Sequence, residues 1–122
     1  MLKSYKELVA WQRSFDPCAH VYEASMFSPR DERFGLTAQM RRSAVSVPSN
    51  IAEGYGRGST RDYVHFLWNA NGSICELETQ LLIAQRLKFG QPAELERTLN
   101  DVAEGERVLA ALIRSLENKL QK

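Results

Sequence analysis

Residues 63–84, YVHFLWNANGSICELETQLLIA, decide the fold class. Within them Tyr63, Leu67, Ala70, Ile74, Leu77, Leu81 and Ala84 recur in alternating steps of four and three. That period keeps one stripe of a helix against nearly parallel neighbours. A half-buried strand would instead alternate apolar and polar residues, and no β-branched run in the chain does so over a strand's length. The stretch reads as the long third helix of an all-α protein.

The same period extends on both sides. Leu36, Met40, Ala44, Val47, Ile51 and Tyr55 predict a second helix that runs through Pro48 and starts somewhere between Pro29 and Thr37. Ser28 and Pro29 have the order of an N-cap and first helical residue. Gly54, Gly56 and Gly58, followed by Ser59 and Thr60, mark the break before the third helix, with Ser59 or Thr60 as its cap. Gly90, Gln91 and Pro92 mark the next break. Leu95, Leu99, Val102, Leu109, Leu112, Leu116 and Leu120 then predict a fourth helix, interrupted where Gly105 and Glu106 replace the expected apolar residue.

Leu8, Trp11, Phe15, Cys18, Tyr22 and Met26 lie along one stripe of a first helix spanning about residues 5–27. Pro17 opposes it, because an internal proline removes a hydrogen bond and crowds the preceding turn at a cost of about 3 kcal/mol. The period survives across it, which predicts a kink near Phe15 rather than a restart at Asp16. Four helices joined by short turns make an antiparallel up-and-down four-helix bundle, a single domain over residues 1–122, with Asn118–Lys122 expected to fray.

Composition narrows the function classes. A chain of 122 residues can bury a core without a disulfide or metal staple, so Cys18 and Cys75 need no structural role. No apolar run approaches the ~20 residues of a membrane helix, and the start of the chain lacks a signal-peptide core, so a cytoplasmic, reducing location is expected. The formal net charge is only +1, unlike a strongly basic nucleic-acid module. The charge is unevenly placed, however. Residues 30–61 carry six arginines against three acids, whereas residues 76–117 carry eight acids against five bases, so an anion-seeking surface is expected in the first stretch.

Polar residues form a second pattern. Gln39, Arg42, Ser46, Asn50, Glu53 and Arg57 follow helical spacing on a face displaced from the apolar one, and Asp62, Asn69, Ser73, Glu76 and Gln80 answer them on the third helix. Facing each other, or facing another subunit, they could build a hydrogen-bonded network in which Arg42 or Arg57 pairs with Glu53 or Glu76. A merely solvated face with an i,i+4 pair between Glu53 and Arg57 is the other reading. The small residues Ser43, Ala44, Ser46, Ser49, Ala52 and Gly54 favour close helix contact over solvation. Trp68, Cys75 and Leu82 add an apolar line beside the main stripe of the third helix, fit for a subunit interface or for a broad core face.

Arg41, Arg42, Arg57 and Arg61 could grip phosphate oxygens bidentately, with Tyr55 and Tyr63 placed to stack on unpaired bases. The same arginines could equally be solvated or lock subunits together. The loop GYGRGST, residues 54–60, lacks the preceding strand and the lysine order of a nucleotide-binding loop. A di-metal centre needs two Glu-x-x-His motifs, and the two histidines, His20 and His65, do not supply them. Neither cysteine has a His and acid constellation beside it in sequence, so no catalytic residue, metal or cofactor is expected.

Three runs, LVAWQ (8–12), FGLTAQMRRSAVSVPSNIAEGYGRG (34–58) and GSICELETQLLIAQRL (72–87), resemble the small four-helix-bundle proteins encoded in intervening sequences of bacterial 23S ribosomal RNA genes. The resemblance covers nearly the whole chain. It implies the same bundle and a ring-shaped homo-oligomer, a pentamer, while the family's biochemical role is not established. A related group, the accessory variability proteins of diversity-generating retroelements, shares bundle and ring and binds nucleic acid through basic surfaces. By similarity Arg41, Arg42, Ser49, Asn50, Glu53, Gly54, Gly56 and Arg57 occupy the family signature on the second helix, and Gly72, Ser73, Glu76 and Leu77 that on the third. The sequence departs from the family pattern at Pro17 and Asn71. Two expectations follow: an RNA-contacting face around Arg41, Arg42 and Arg57, or a scaffold whose arginines meet Glu53 and Glu76 at subunit interfaces, with any protein partner unspecified.

Overall fold

The computed structural model describes residues 4–26, 30 and 35–121. A short 3-10 turn, Tyr5–Glu7, precedes four helices: α1 (Val9–Ser25), α2 (Leu36–Gly56), α3 (Thr60–Arg86) and α4 (Pro92–Leu120). Each helix packs on its two neighbours around a square, α1 on α2, α2 on α3, α3 on α4 and α4 on α1. Side-chain contacts fix the directions: Arg41 near the start of α2 meets Ser25 at the end of α1, Ser43 and Ser46 meet Glu76 and Ser73 in reverse order, Trp68 near the start of α3 meets Glu117 near the end of α4, and Arg13 and His20 meet Glu104 and Asp101 in reverse order. Consecutive helices therefore run antiparallel, as the spacing predicted. The expected Ser28–Pro29 cap lies outside the described residues.

The helix ends follow from local chemistry. Leu8 is extended between the 3-10 turn and α1, so the first helix starts later than expected. Ser59 Oγ accepts the Asp62 N–H at 3.3 Å and caps α3, and Pro92 stands at the first position of α4, where no donor is missed. Gly54 and Gly56 belong to α2 rather than to the break, which shrinks to residues 57–59. Gly90 takes φ +76°, and a Cβ there would stand 2.8 Å from the Ala24 carbonyl, so the α3–α4 turn requires glycine twice over.

Met40, Ile51, Leu67, Leu81 and Leu109 centre the core, and α2 and α3 bury the stripes that their periodicity predicted. The first helix does so only in part. Leu8, Trp11 and Cys18 of its predicted stripe are half-buried against the core, but its fully buried residues are Ala10, Ser14, Pro17, Val21, Ala24 and Ser25, while Phe15, Tyr22 and Met26 are 52%, 44% and 70% exposed. Helix α1 has two apolar faces, and the one with small side chains goes inward because it allows closer packing against α2 and α4.

Both internal prolines lie in unbroken helices. Pro17 leaves the Arg13 carbonyl without its helical donor, and α4 passes there at Gly105, whose Cβ, if present, would stand 3.2 Å from that oxygen. This close approach explains the glycine that read as an interruption of α4, which in fact runs continuously through residues 92–120. Pro48 likewise frees the Ala44 carbonyl, which accepts the Cys18 thiol at 2.9 Å.

Candidate nucleic-acid and subunit interface

The polar stripes of α2 and α3 meet along the seam between the two helices. Ser43 Oγ donates to Glu76 Oε1 at 2.6 Å, and Ser46 and Ser73 share a hydroxyl hydrogen bond at 2.9 Å. Asn50 Nδ2 donates to the Ser46 carbonyl at 2.8 Å and to Ser46 Oγ at 2.9 Å. The expected network therefore lies within one chain, built from hydroxyls, an amide and one carboxylate. Glu53 pairs with Arg57 at 3.2 Å on the surface, an i,i+4 contact worth a few tenths of a kcal/mol, and Gln39 is exposed. Neither arginine reaches Glu76. Gly54 closes the seam, since a Cβ there would lie 2.8 Å from Phe66 Cβ.

The four arginines do not form one patch. Arg41 Nε donates to Ser25 Oγ at 2.9 Å, and its guanidinium lies 4.6 Å from the Tyr22 ring centroid, fastening the start of α2 to the end of α1. A cation at a helix C-terminus is also favoured by the helix dipole. Arg57 and Arg61 stand at the opposite end of the bundle, about 15 residues and so ~22 Å from Arg42 along the axis. Arg57 is held by Glu53 and lies over the Phe66 ring. Arg42 and Arg61 are exposed and make no ion pair with a described residue. Tyr55 is half-buried edge-on to Tyr63, with ring centroids 5.9 Å apart, and burial pushes the Tyr63 phenol up to about 12. These rings pack on each other rather than standing free for a base.

Apolar surface is concentrated in two places. On the α1–α2 side Tyr5 packs edge-on to Trp11, which stacks on Phe15 at 4.7 Å between centroids, and Val45, Pro48 and Ala52 complete a groove. On α3 Leu82, Ile83 and Leu87 are exposed toward its C-terminal end. Trp68 does not join the α2–α3 network. It is 50% exposed on the α4 side of α3, where its Nε1 donates to Glu117 Oε2 at 3.0 Å.

One set of charged residues was not legible in whole-segment sums. Helix α4 is acidic in its first half, where Glu94, Glu96, Asp101, Glu104 and Glu106 outnumber Arg97, and basic in its second, where Arg107, Arg114 and Lys119 outnumber Glu117. Counting residues 76–117 together hid Arg107 and Arg114 behind the acids and left Lys119 out; a half-helix window would have found the basic end. All three cations are exposed and lack an ion pair with a described residue. Burial pushes the Cys18 thiol up to about 11, which keeps it a neutral donor rather than a nucleophile.

The family model described as 23S rRNA-intervening sequence protein matches residues 6–111. No protein of curated function matches the chain. Among solved structures, a protein of unknown function from the S23 ribosomal protein family of Bacteroides thetaiotaomicron superposes with a TM-score of 0.78 at 24% identity, over 86% of this chain and 98% of the other. At that identity the likeness speaks for the fold. Among the described residues, no helix is long and apolar enough to cross a membrane.

Proposed function

This chain belongs to the 23S rRNA-intervening sequence protein family, and from that premise we propose that it is a non-enzymatic protein that acts by self-association in the cytoplasm. One observation carries the reading: Phe15 and Tyr22 of α1 and Met26 just past its end stand outward, while the helix buries Ala10, Ser14, Pro17, Val21, Ala24 and Ser25. Contiguous exposed apolar surface is costly unless covered, and it marks association sites. The aromatic groove between α1 and α2 and the Leu82, Ile83 and Leu87 patch of α3 are unlike surfaces, so joining one to the other is a heterologous contact that closes into a ring when the rotation permits. Five copies is the number that the family resemblance implies.

A second reading, RNA contact, draws support from Arg42 and Arg61, whose guanidinium groups have no internal partner among the described residues. Ring assembly would repeat each of them around the particle and strengthen a weak phosphate contact by multivalency. Arg41 and Arg57 contribute less, being engaged within the chain.

Both readings are tested by titrating purified protein with a structured RNA hairpin at several salt concentrations while light scattering reports mass. A concentration-stable oligomer supports self-association, and an affinity that falls linearly on a log–log salt plot supports RNA contact. A monomer at all concentrations contradicts the first reading, and absence of binding at low salt contradicts the second.

A further inference from the structure

We propose that the seam between the start of α3 and the end of α4 is a docking surface for single-stranded nucleic acid, with Trp68 as the stacking platform and Arg61 and Arg114 as phosphate contacts. The inference rests on the RNA reading above and moves its site away from the α2 face.

The placement follows from one hydrogen bond and helical geometry. Trp68 Nε1 donates to Glu117 Oε2 at 3.0 Å, which fixes the indole by its edge, with half of the residue's surface in solvent. Arg61 and His65 precede Trp68 by seven and three residues on the same face of α3, and both are exposed. Arg114 precedes Glu117 by three residues on α4, one turn along the seam in the opposite direction because the helices are antiparallel. The indole thus stands between two guanidinium groups that have no ion-pair partner among the described residues and are separated along the axis by about 15 Å. Lys119 and Arg114 border one shallow groove on α4, which adds a third cation beyond the seam.

A fixed, half-exposed aromatic ring between free cations is the arrangement that recognises unpaired bases: any base offers a π-face to the ring, while flanking cations track the backbone. A duplex keeps its bases stacked on one another and offers the indole nothing. Glu117 keeps its negative charge when it accepts the indole N–H, and Arg61 and Arg114, flanking it along the seam, outnumber it, so these three groups together leave a net positive field for phosphate.

The test is fluorescence titration of the Trp11→Phe protein, in which Trp68 is the sole indole, with an unstructured oligouridylate, the matching oligodeoxythymidylate and a blunt duplex. The expected result is quenching by both single strands and none by the duplex; with a dye-labelled strand followed by anisotropy, binding is weakened about tenfold or more by Trp68→Ala and largely restored by Trp68→Phe. Arg114→Ala should lower the salt slope by about 0.7, as loss of one single-strand phosphate contact does. Helicity and scattering mass are measured on every variant. Single-strand binding that ignores Trp68 and Arg114 but falls with Arg42→Ala would overturn this surface and keep the RNA reading. Absence of binding to any nucleic acid at low salt would overturn both, and dissociation of the oligomer by Trp68→Ala would assign the indole to a subunit interface instead.

Discussion

The Cys18 thiol donates to the Ala44 carbonyl, 2.9 Å away, and Ala44 is the residue that Pro48 deprives of its helical donor. A proline in α2 is thus tolerated because a side chain of α1 supplies the missing proton. Cys18→Ala should leave that carbonyl unsatisfied and cost about 1–3 kcal/mol. Cys18→Ser, which keeps a donor, should cost less. Urea denaturation of the two variants checks this; equal losses would show that the thiol serves only to fill space.

The same bond predicts an alkaline limit. Cys18 is raised from its ordinary 9.0 to about 11, so the folded state holds the proton more tightly than the unfolded chain. The stability this supplies is complete below pH 9 and is lost as pH rises toward 11. Tyr63, raised from 10.0 to about 12 by burial, loses its share between those values. Denaturation midpoints measured from pH 7 to 12 should therefore stay level and then fall from pH 9. In Cys18→Ser the fall should begin about one pH unit later, and an identical onset in both proteins would contradict the assignment.

Three helical glycines should respond differently to alanine. Gly72 has nothing within 4 Å of an added Cβ, so Gly72→Ala should stabilise by about 1 kcal/mol through helix propensity. At Gly54 the Cβ meets Phe66 Cβ at 2.8 Å, and the forced separation of α2 and α3 should outweigh that gain, for a net loss of about 1–3 kcal/mol. Gly105→Ala should fall between them, because its contact with the Arg13 carbonyl is 3.2 Å. Thermal denaturation ranks the three, and any other order contradicts the packing described.

Arg41→Ala should act on stability first. It removes the bond to Ser25 and the contact with the Tyr22 ring, at a cost of about 1 kcal/mol. Arg42→Ala, at an exposed position with no partner among the described residues, should change stability by less than about 0.5 kcal/mol. Equal effects in urea denaturation would place Arg41 outside the α1–α2 contact.

How far the sequence reveals this molecule depends on whether a helix has one apolar face or two. Helices α2 and α3 have one dominant stripe each, so Met40, Ile51, Leu67 and Leu81 were recognisable as core from spacing alone. In α1 two stripes have nearly the same period, and the inward face lies rotated from the predicted one, keeping Leu8, Trp11 and Cys18 against the core and turning Phe15, Tyr22 and Met26 out; how closely α4 approaches at Gly105, a contact between distant segments, sets that rotation. The polar stripes were legible as a pattern, but their partners were not, since whether Glu76 meets an arginine or Ser43 depends on the rotation of two helices by a fraction of a turn. Arg41, Arg42, Arg57 and Arg61 looked like neighbours because two pairs lie at the ends of one helix and its turn, where sequence proximity conceals a separation of ~22 Å.

The outward stripe of α1 carries the central claim, and the mass of Phe15→Glu in solution tests it most directly. Phe15 lies in the aromatic groove and is half exposed, so a carboxylate there should leave the fold intact while making a covered interface untenable. Light scattering should give an oligomer for the natural protein and a monomer of 13.9 kDa for the variant, with the same helical content by circular dichroism. A natural protein that is already monomeric at tens of micromolar, or a variant whose assembly is unchanged, would contradict it.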